Sequence, residues 1–157
     1  MCWISVLKKH INKNMKRKDE DIKEDFVQNA VIKWLSKNDW RIMSLATLGG
    51  KGVDIKARHN KYSRYYLIEA KGAKTNSSEE VAFVYSLGQI ITRMNTSGKT
   101  RYYYGLALPQ GSANKAIRRV PFQIAKKLLL HIFSVNKKGD VARYMPKDLE
   151  KLQKNEI

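Results

Sequence analysis

Cysteine and histidine are scarce in this chain. Its one cysteine, Cys2, cannot form an internal disulfide, and its three histidines, His10, His59 and His131, are scattered along the sequence. The usual Cys and His zinc ligand sets cannot be assembled from so few residues. Any metal ion would therefore be held by oxygen atoms, and the single cysteine favours a reducing, cytoplasmic compartment.

Long apolar runs are also missing. A membrane-spanning helix needs about 20 mostly apolar residues, and even the apolar run at residues 128–135 is soon interrupted by Asn136, Lys137 and Lys138. The opening residues 1–7 are too short for a signal-peptide core and lack a small-residue cleavage site. The sequence therefore predicts a soluble protein.

Acidic residues are few. The chain has 14 Asp and Glu against 31 Lys and Arg, which gives a net charge of +17. Solubility does not require so large an excess, so a polyanionic partner is expected. Nucleic acid is the first choice, DNA before RNA, and an anionic membrane surface is the second.

The length of 157 residues and the 43% hydrophobic content are those of one domain with one core. Residues 1–18 are rich in Lys and Asn and are interpreted as a flexible basic arm, with Met15 as an alternative natural start. The domain is predicted to cover residues 19–146, followed by a polar tail at residues 147–157.

Apolar residues recur at helical spacing in some segments and form short strand-like runs in others. The succession of helical and strand-like segments along the chain predicts an α/β fold. Two of the strands are predicted to form a hairpin around the polar turn at residues 59–63. The predicted helices cover residues 26–35, 77–94 and 114–129. The predicted strands cover residues 40–45, 53–58, 65–70, 102–108, 130–135 and 140–144.

Two acidic residues, Asp54 and Glu69, lie inside predicted apolar strands. A carboxylate there must be desolvated and would repel phosphate unless a cation neutralises it. The hairpin brings the two acids together, and Lys71 shares a face with Glu69 because side chains alternate along a strand. Converging carboxylates are ligands that Mg²⁺ prefers, so the pattern predicts a metal-dependent phosphodiesterase site.

This pattern of Asp54 followed by Glu69, Ala70 and Lys71 across a hairpin, after a helix that carries Glu24, resembles the PD-(D/E)XK nuclease superfamily. The superfamily includes many restriction enzymes and Holliday junction resolvases. The predicted order of elements over residues 19–135 is also similar to its common core. The resemblance implies a restriction-endonuclease-like fold, a three-layer α/β domain in which helices flank a mixed central β-sheet.

The resemblance also implies a metal site. Asp54 and Glu69 would hold Mg²⁺, for which Mn²⁺ is the expected substitute, with the backbone carbonyl of Ala70 as a third ligand. Glu24 would support the metal through a water molecule, and Asp25 is the alternative acid on the same helix.

Two further roles follow from the resemblance. Lys71 would position the attacking water or stabilise charge in the transition state, and Gln89 would orient Lys71 or the substrate. Members of the superfamily often dimerise, so a homodimer is also implied. The chain departs from the pattern at Val53, where the family name calls for proline.

Seven cations are candidates for nucleic-acid binding. Five would lie near the predicted site, and two lie on the third predicted helix, where a solvated helix side is an equally good interpretation. The seven are Lys51, Lys56, Arg58, Lys74, Arg93, Arg118 and Arg119. The tyrosines at residues 102–104 are interpreted as sheet core instead of a base-stacking surface.

The leading hypothesis from the sequence is a metal-dependent endonuclease that hydrolyses DNA phosphodiester bonds. One alternative is a catalytically silent nucleic-acid-binding subunit of a larger defence, recombination or mobile-element complex. A weaker alternative is a peripheral membrane protein that uses the basic arm. For Glu69 and Lys71 alone, the ordinary interpretation of a Glu-x-Lys triplet is a surface ion pair.

Overall fold

The structure is a computed structural model and describes residues 22–46, 52–73, 76–95, 98 and 100–155. The predicted basic arm, with Met15, and the candidate cations Lys51 and Lys74 lie outside the described residues. None of the helices in the described part of the chain is long and apolar enough to cross a membrane.

The described residues form an α/β fold. The helices are α1 (Glu24–Lys37), α2 (Asn76–Thr92), α3 (Gln110–Arg119), α4 (Phe122–Leu128) and α5 (Pro146–Asn155). The strands are β1 (Trp40–Leu45), β2 (Ile55–His59), β3 (Arg64–Ala70), β4 (Arg101–Pro109), β5 (Leu130–Val135) and β6 (Val141–Tyr144).

The six strands form one mixed sheet in the order β1-β2-β3-β4-β5-β6. Strands β1, β2 and β3 are antiparallel neighbours, which confirms the predicted hairpin. The pairs β3–β4 and β4–β5 are parallel, and β6 returns antiparallel to β5. Helix α2 makes the crossover between β3 and β4, as parallel pairing requires.

Side chains that alternate along the strands supply two separate cores. Tyr66, Ile68 and Ala70 of β3 are fully buried on the face that α1 covers. Leu67 points to the opposite face and packs against the core formed with α2, α3 and α4. The sheet therefore lies between two layers of helix, and Glu69, which alternates with Ile68 and Ala70, points to the α2 side.

The third predicted helix is wrong as a single element. Two helices cover this segment: α3 ends at Arg119, and α4 begins at Phe122. Pro121 lies at the break because proline has no backbone N–H and disfavours helical geometry in the residue before it. Val120 accordingly has extended backbone angles, with φ −80° and ψ 112°.

The predicted polar tail also needs correction, because the domain does not end at residue 146. Residues 146–155 form α5, which is polar overall but buries Leu149 completely. Leu149 belongs to the core between the sheet and helices α2 to α4. One buried side chain in an otherwise polar segment is too weak a pattern to mark the helix from the sequence.

Strand β1 lies at one edge of the sheet formed by the described strands. Its pairing with β2 is regular from Trp40 to Ile42 and then shifts by one residue before Ser44. This irregularity is a β-bulge, which increases the local twist of the strand.

Candidate functional site

Asp54 immediately precedes β2, and its carboxylate reaches across to β3. Its Oδ2 accepts a hydrogen bond of 2.7 Å from the backbone N–H of Ala70. Its own carbonyl oxygen accepts from the N–H of Ala46 at 3.0 Å and from Nε2 of Gln28 at 3.3 Å. These bonds hold the Asp54 carboxylate beside the peptide bond that joins Glu69 to Ala70.

Glu69 is buried on β3, and its side chain is only 1% exposed. Its Oε1 accepts a hydrogen bond from Arg93, while Oε2 has no hydrogen-bond partner among the described residues. A buried carboxylate oxygen without a partner is energetically costly. The surface ion pair suggested by the Glu-x-Lys triplet therefore does not describe Glu69.

Lys71 follows β3 directly and contacts the start of α1. Its Nζ donates a hydrogen bond of 3.2 Å to Oε2 of Glu24, and its side chain is 20% exposed. Its backbone N–H donates to the carbonyl of Ala107 on β4 at 3.0 Å. The structure thus brings Glu24 and Lys71, two of the predicted site residues, into direct side-chain contact.

A close backbone approach brings Glu24 to Lys71. Ile22 and Ala73 exchange two backbone hydrogen bonds of 3.1 and 2.9 Å, which tie the segment that leads into α1 to the end of the hairpin. Gly72 makes this approach feasible, because a Cβ there would lie 2.5 Å from the carbonyl oxygen of Ile22 and 2.6 Å from the nitrogen of Glu24.

Helix α2 turns one side toward the end of β3. Tyr85, Gln89 and Arg93 are four residues apart and therefore lie on the same side of the helix and its end. The ring centroid of Tyr85 is 5.6 Å from Nζ of Lys71, and Arg93 contacts Glu69. Oε1 of Gln89 is buried without a hydrogen-bond partner among the described residues.

The donor set at this site is chemically suited to magnesium. Mg²⁺ in proteins is commonly bound by one or two carboxylates, with the remaining positions taken by water and substrate phosphate oxygens. Asp54 and Glu69 supply two carboxylates, and the unpartnered Oε2 of Glu69 is the oxygen that most needs a cation. In the described part of the chain, no group of three or more His, Cys, Asp or Glu residues is placed to hold a metal ion.

The candidate cations differ in their surroundings. Lys56 and Arg58 lie on β2 and place Nζ and Cζ at 5.6 and 5.8 Å from the ring centroid of Tyr65. Arg93, expected to bind nucleic acid, is instead engaged with buried Glu69. Arg118 is exposed on α3.

Arg119, the second candidate on α3, is paired with an acid of its own. It donates a hydrogen bond to Glu80 on α2, and this bond lowers the pKa of the Glu80 carboxyl below its ordinary value. Glu80 also lies 3.9 Å from Nζ of Lys115, so one acid is shared between two cations.

Sequence reasoning missed three contributors to this region. Tyr85 was not singled out within the predicted helix at residues 77–94, and its spacing of four from Gln89 was the available signal. The pairing partner of Glu69 was missed because Arg93 is 24 residues away in the sequence. Arg41 was missed because its position opposite Arg58 depends on the register between β1 and β2.

Comparisons of the chain with protein-family models, with curated proteins and with solved structures find no match.

Proposed function

We propose that this chain is a metal-dependent endonuclease that hydrolyses DNA phosphodiester bonds. The observation that carries the proposal is the placement of the Asp54 carboxylate beside the Glu69–Ala70 peptide bond, next to a buried Glu69 whose Oε2 has no partner. Two carboxylates at such a place in a chain of net charge +17 are readily explained if a divalent cation and a phosphate share the site.

The arrangement of elements supports the restriction-endonuclease-like form of this proposal. A helix, three antiparallel strands, a crossover helix and a parallel strand follow one another from α1 to β4. This order is the one implied by the resemblance to the PD-(D/E)XK superfamily. Asp54, Glu69 and Lys71 all lie at the same end of β2 and β3, where the resemblance requires its signature residues.

In this proposal Asp54 and Glu69 hold Mg²⁺ or Mn²⁺, with the Ala70 carbonyl as a third ligand and Glu24 acting through water. When bound, the cation lowers the pKa of a coordinated water and stabilises negative charge on the scissile phosphate. When no metal ion is bound, the guanidinium of Arg93 would neutralise the charge of Glu69.

The remaining site residues act on water and substrate in this proposal. Lys71 offsets charge on the phosphate or orients the attacking water, and its contacts with Glu24 and Tyr85 hold the ammonium in place. Gln89 offers its buried amide to the substrate or to Lys71.

Cleavage by purified protein tests the proposal. Supercoiled plasmid, linear duplex DNA, single-stranded DNA and RNA are incubated with Mg²⁺, Mn²⁺ or EDTA. We expect metal-dependent DNA cleavage by the wild type and a loss of at least about 100-fold in Glu69→Gln and Lys71→Met, since the residues that stabilise a transition state contribute factors of this size. Glu150→Gln, at a surface carboxylate on α5, is the matched control and should cleave at the wild-type rate.

Equal cleavage by all four proteins would indicate a contaminating nuclease and would remove the support for this site. Cleavage of RNA but not DNA would keep the site and correct the substrate. Size measurement by light scattering, with and without DNA, would show whether the protein acts as a homodimer.

A nucleic-acid-binding subunit without turnover is the second candidate, and the pairing of Arg93 with Glu69 favours it. A carboxylate already neutralised by an arginine needs no metal ion. If this candidate is right, Mg²⁺ will not raise DNA affinity above that in EDTA, and Asp54→Asn will not reduce it. Such a protein would act inside a larger defence, recombination or mobile-element complex.

A further inference from the structure

Strands β1 and β2 present a row of like charges on one face of the sheet. Arg41 is paired directly across from Arg58, so the two side chains share a face. Lys56 lies on the same face, two residues before Arg58, because side chains alternate along a strand. Trp40 and Ala57 point to the opposite face, where they are buried against α1.

This face is on the α2 side of the sheet, where the helices pack over β3, β4 and β5. Arg41 is exposed, and Lys56 and Arg58 are half-buried. Among the described residues, none of these three cations forms a salt bridge with an acid. Like charges directly opposite each other on neighbouring strands are destabilising, so the fold retains a repulsive pair that no described acid neutralises.

An aromatic side chain holds two of these cations in position. Tyr65 is directly opposite Arg58 on β3, and the side chains of Lys56 and Arg58 lie over its ring. The ring of Tyr65 is supported in turn by Tyr102 on β4, at a centroid distance of 5.7 Å. Contact with the Tyr65 ring therefore restricts the movement of the two cationic side chains.

The row also leads away from the candidate site. Lys56 and Arg58 follow Asp54 at two-residue steps along the chain, and each step is about 7 Å in an extended strand. A strand of nucleic acid whose phosphate occupied the site would meet these cations as it continued along β2.

We infer that Arg41, Lys56 and Arg58 on the open face of β1 and β2 bind the phosphate backbone of a nucleic-acid strand as it leaves the Asp54–Glu69 site. The inference rests on the proposed function and adds the path of the substrate. Arg41 is included because it is paired directly opposite Arg58 in the sheet.

Binding measured in EDTA separates this surface from catalysis. The probes are a fluorescent 20-nucleotide single strand and a 20-base-pair duplex, titrated at several salt concentrations. The double variant Arg41→Gln with Arg58→Gln should lose at least about tenfold in affinity, and its plot of log affinity against log salt should be less steep by about 1 per cation removed. The probe that the wild type binds with higher affinity at the same salt concentration identifies the form that is bound.

The matched control removes two cations from α5, which packs near β6 at the other end of the strand order from β1. The variant is Lys147→Gln with Lys151→Gln, and both lysines are exposed. It should keep the wild-type affinity to within about twofold. A fall in affinity as large as that of the Arg41 and Arg58 variant would show a general charge effect and overturn the inference.

A stability measurement shows that the loss of binding is not a loss of folding. Arg41→Gln removes the repulsion across from Arg58 and should raise the melting temperature by about 1 to 3 °C while it weakens binding. If wild type and double variant bind equally, the surface is wrong and the proposed function stands. If the wild type binds neither probe, the inference fails, while the proposed function fails only if cleavage with Mg²⁺ or Mn²⁺ is also absent.

Discussion

Arg93 donates a hydrogen bond to Oε1 of Glu69, so the one fully buried carboxylate described in this chain is paired with a cation from the end of the next helix. The pair joins β3 to the C-terminal end of α2 across 24 residues. Arg93 thus occupies the place of a positive charge that, in the proposed function, a metal ion supplies when it binds.

Arg93→Met should destabilise the fold and increase its response to metal. Removing one partner of a buried ion pair leaves the other charge uncompensated, and we expect the free energy of unfolding to fall by about 3 kcal/mol. Because Mn²⁺ would then neutralise Glu69, millimolar Mn²⁺ should raise the melting temperature of the variant more than that of the wild type. Thermal denaturation with Mn²⁺ and with EDTA measures both the loss of stability and the metal-dependent rise in melting temperature.

Arg118→Met, at an exposed cation, is the control and should change neither stability nor metal response appreciably. If Mn²⁺ raised the melting temperature of Arg93→Met and of the wild type by the same amount, Arg93 would have no effect on metal binding at Glu69.

Gly72→Ala should separate α1 from the end of β3. The added Cβ would meet backbone atoms of Ile22 and Glu24 that cannot move independently. We expect a loss of about 2 kcal/mol in the free energy of unfolding, measured in urea. Gly88→Ala, in α2 where a Cβ would meet nothing within 4 Å, should instead stabilise the protein by about 0.5 to 1 kcal/mol.

If both alanine variants changed stability in the same direction and by the same amount, the close approach at Gly72 would have no energetic importance.

Leu149→Ala tests whether α5 belongs to the folded domain. Leu149 is fully buried, and deletion of a buried leucine side chain costs about 2 to 5 kcal/mol. Leu152→Ala, three residues later on the same helix and 42% exposed, should change stability by less than about 0.5 kcal/mol. Urea denaturation of the two variants gives the comparison. If the two substitutions changed the free energy of unfolding equally, α5 would not be packed on the domain and would be a polar tail, as the sequence predicted.

His131 should make the protein less stable in acid. Burial, reinforced by the charge of Arg143, lowers the pKa of His131 to about 3, although Asp148 opposes the shift. Its Nδ1 contacts the hydroxyl of Tyr66, and its ring stacks on Tyr103. Burial also raises the pKa of Tyr66 to about 12, so this hydroxyl keeps its proton.

Between pH 6.5 and pH 3 the unfolded chain therefore binds a proton at His131 that the folded chain does not bind, and stability falls as the pH falls through this range. The loss from this group should reach about 2 kcal/mol by pH 5. Urea denaturation at pH 7.5 and pH 5 should show a smaller difference for His131→Gln than for the wild type. The same difference in both proteins would assign the acid sensitivity to other groups.

Most of the secondary structure was predictable because its signals are local. The short strand-like runs around Ala57 and Ile68, joined by a polar turn, marked two strands of a hairpin, and the apolar spacing from Val27 to Leu35 marked α1. The break at Pro121 had a local signal as well, which the apolar period across residues 114–129 overrode. Helix α5 had almost none, since its burial depends on one leucine that meets residues distant in the sequence.

The candidate site divides in the same way. The strand pattern indicated a hairpin that brings Asp54 close to Glu69, and the resemblance implied that Glu24 lies beside them, so the grouping of these residues could be predicted. The pairing of Arg93 with Glu69 depends on where α2 ends above β3, and no spacing rule supplies that information.

The bulge in β1 makes this strand a poor template for pairing with a strand of another molecule. An edge strand offers unpaired N–H and C=O groups to any other strand that meets it, and continuous pairing requires an even, flat backbone. The register shift between Ile42 and Ser44 interrupts that evenness at the middle of the strand. A second copy approaching β1 would find matching hydrogen-bond partners along only half of its length, and it would also bring a second Arg41 toward the first.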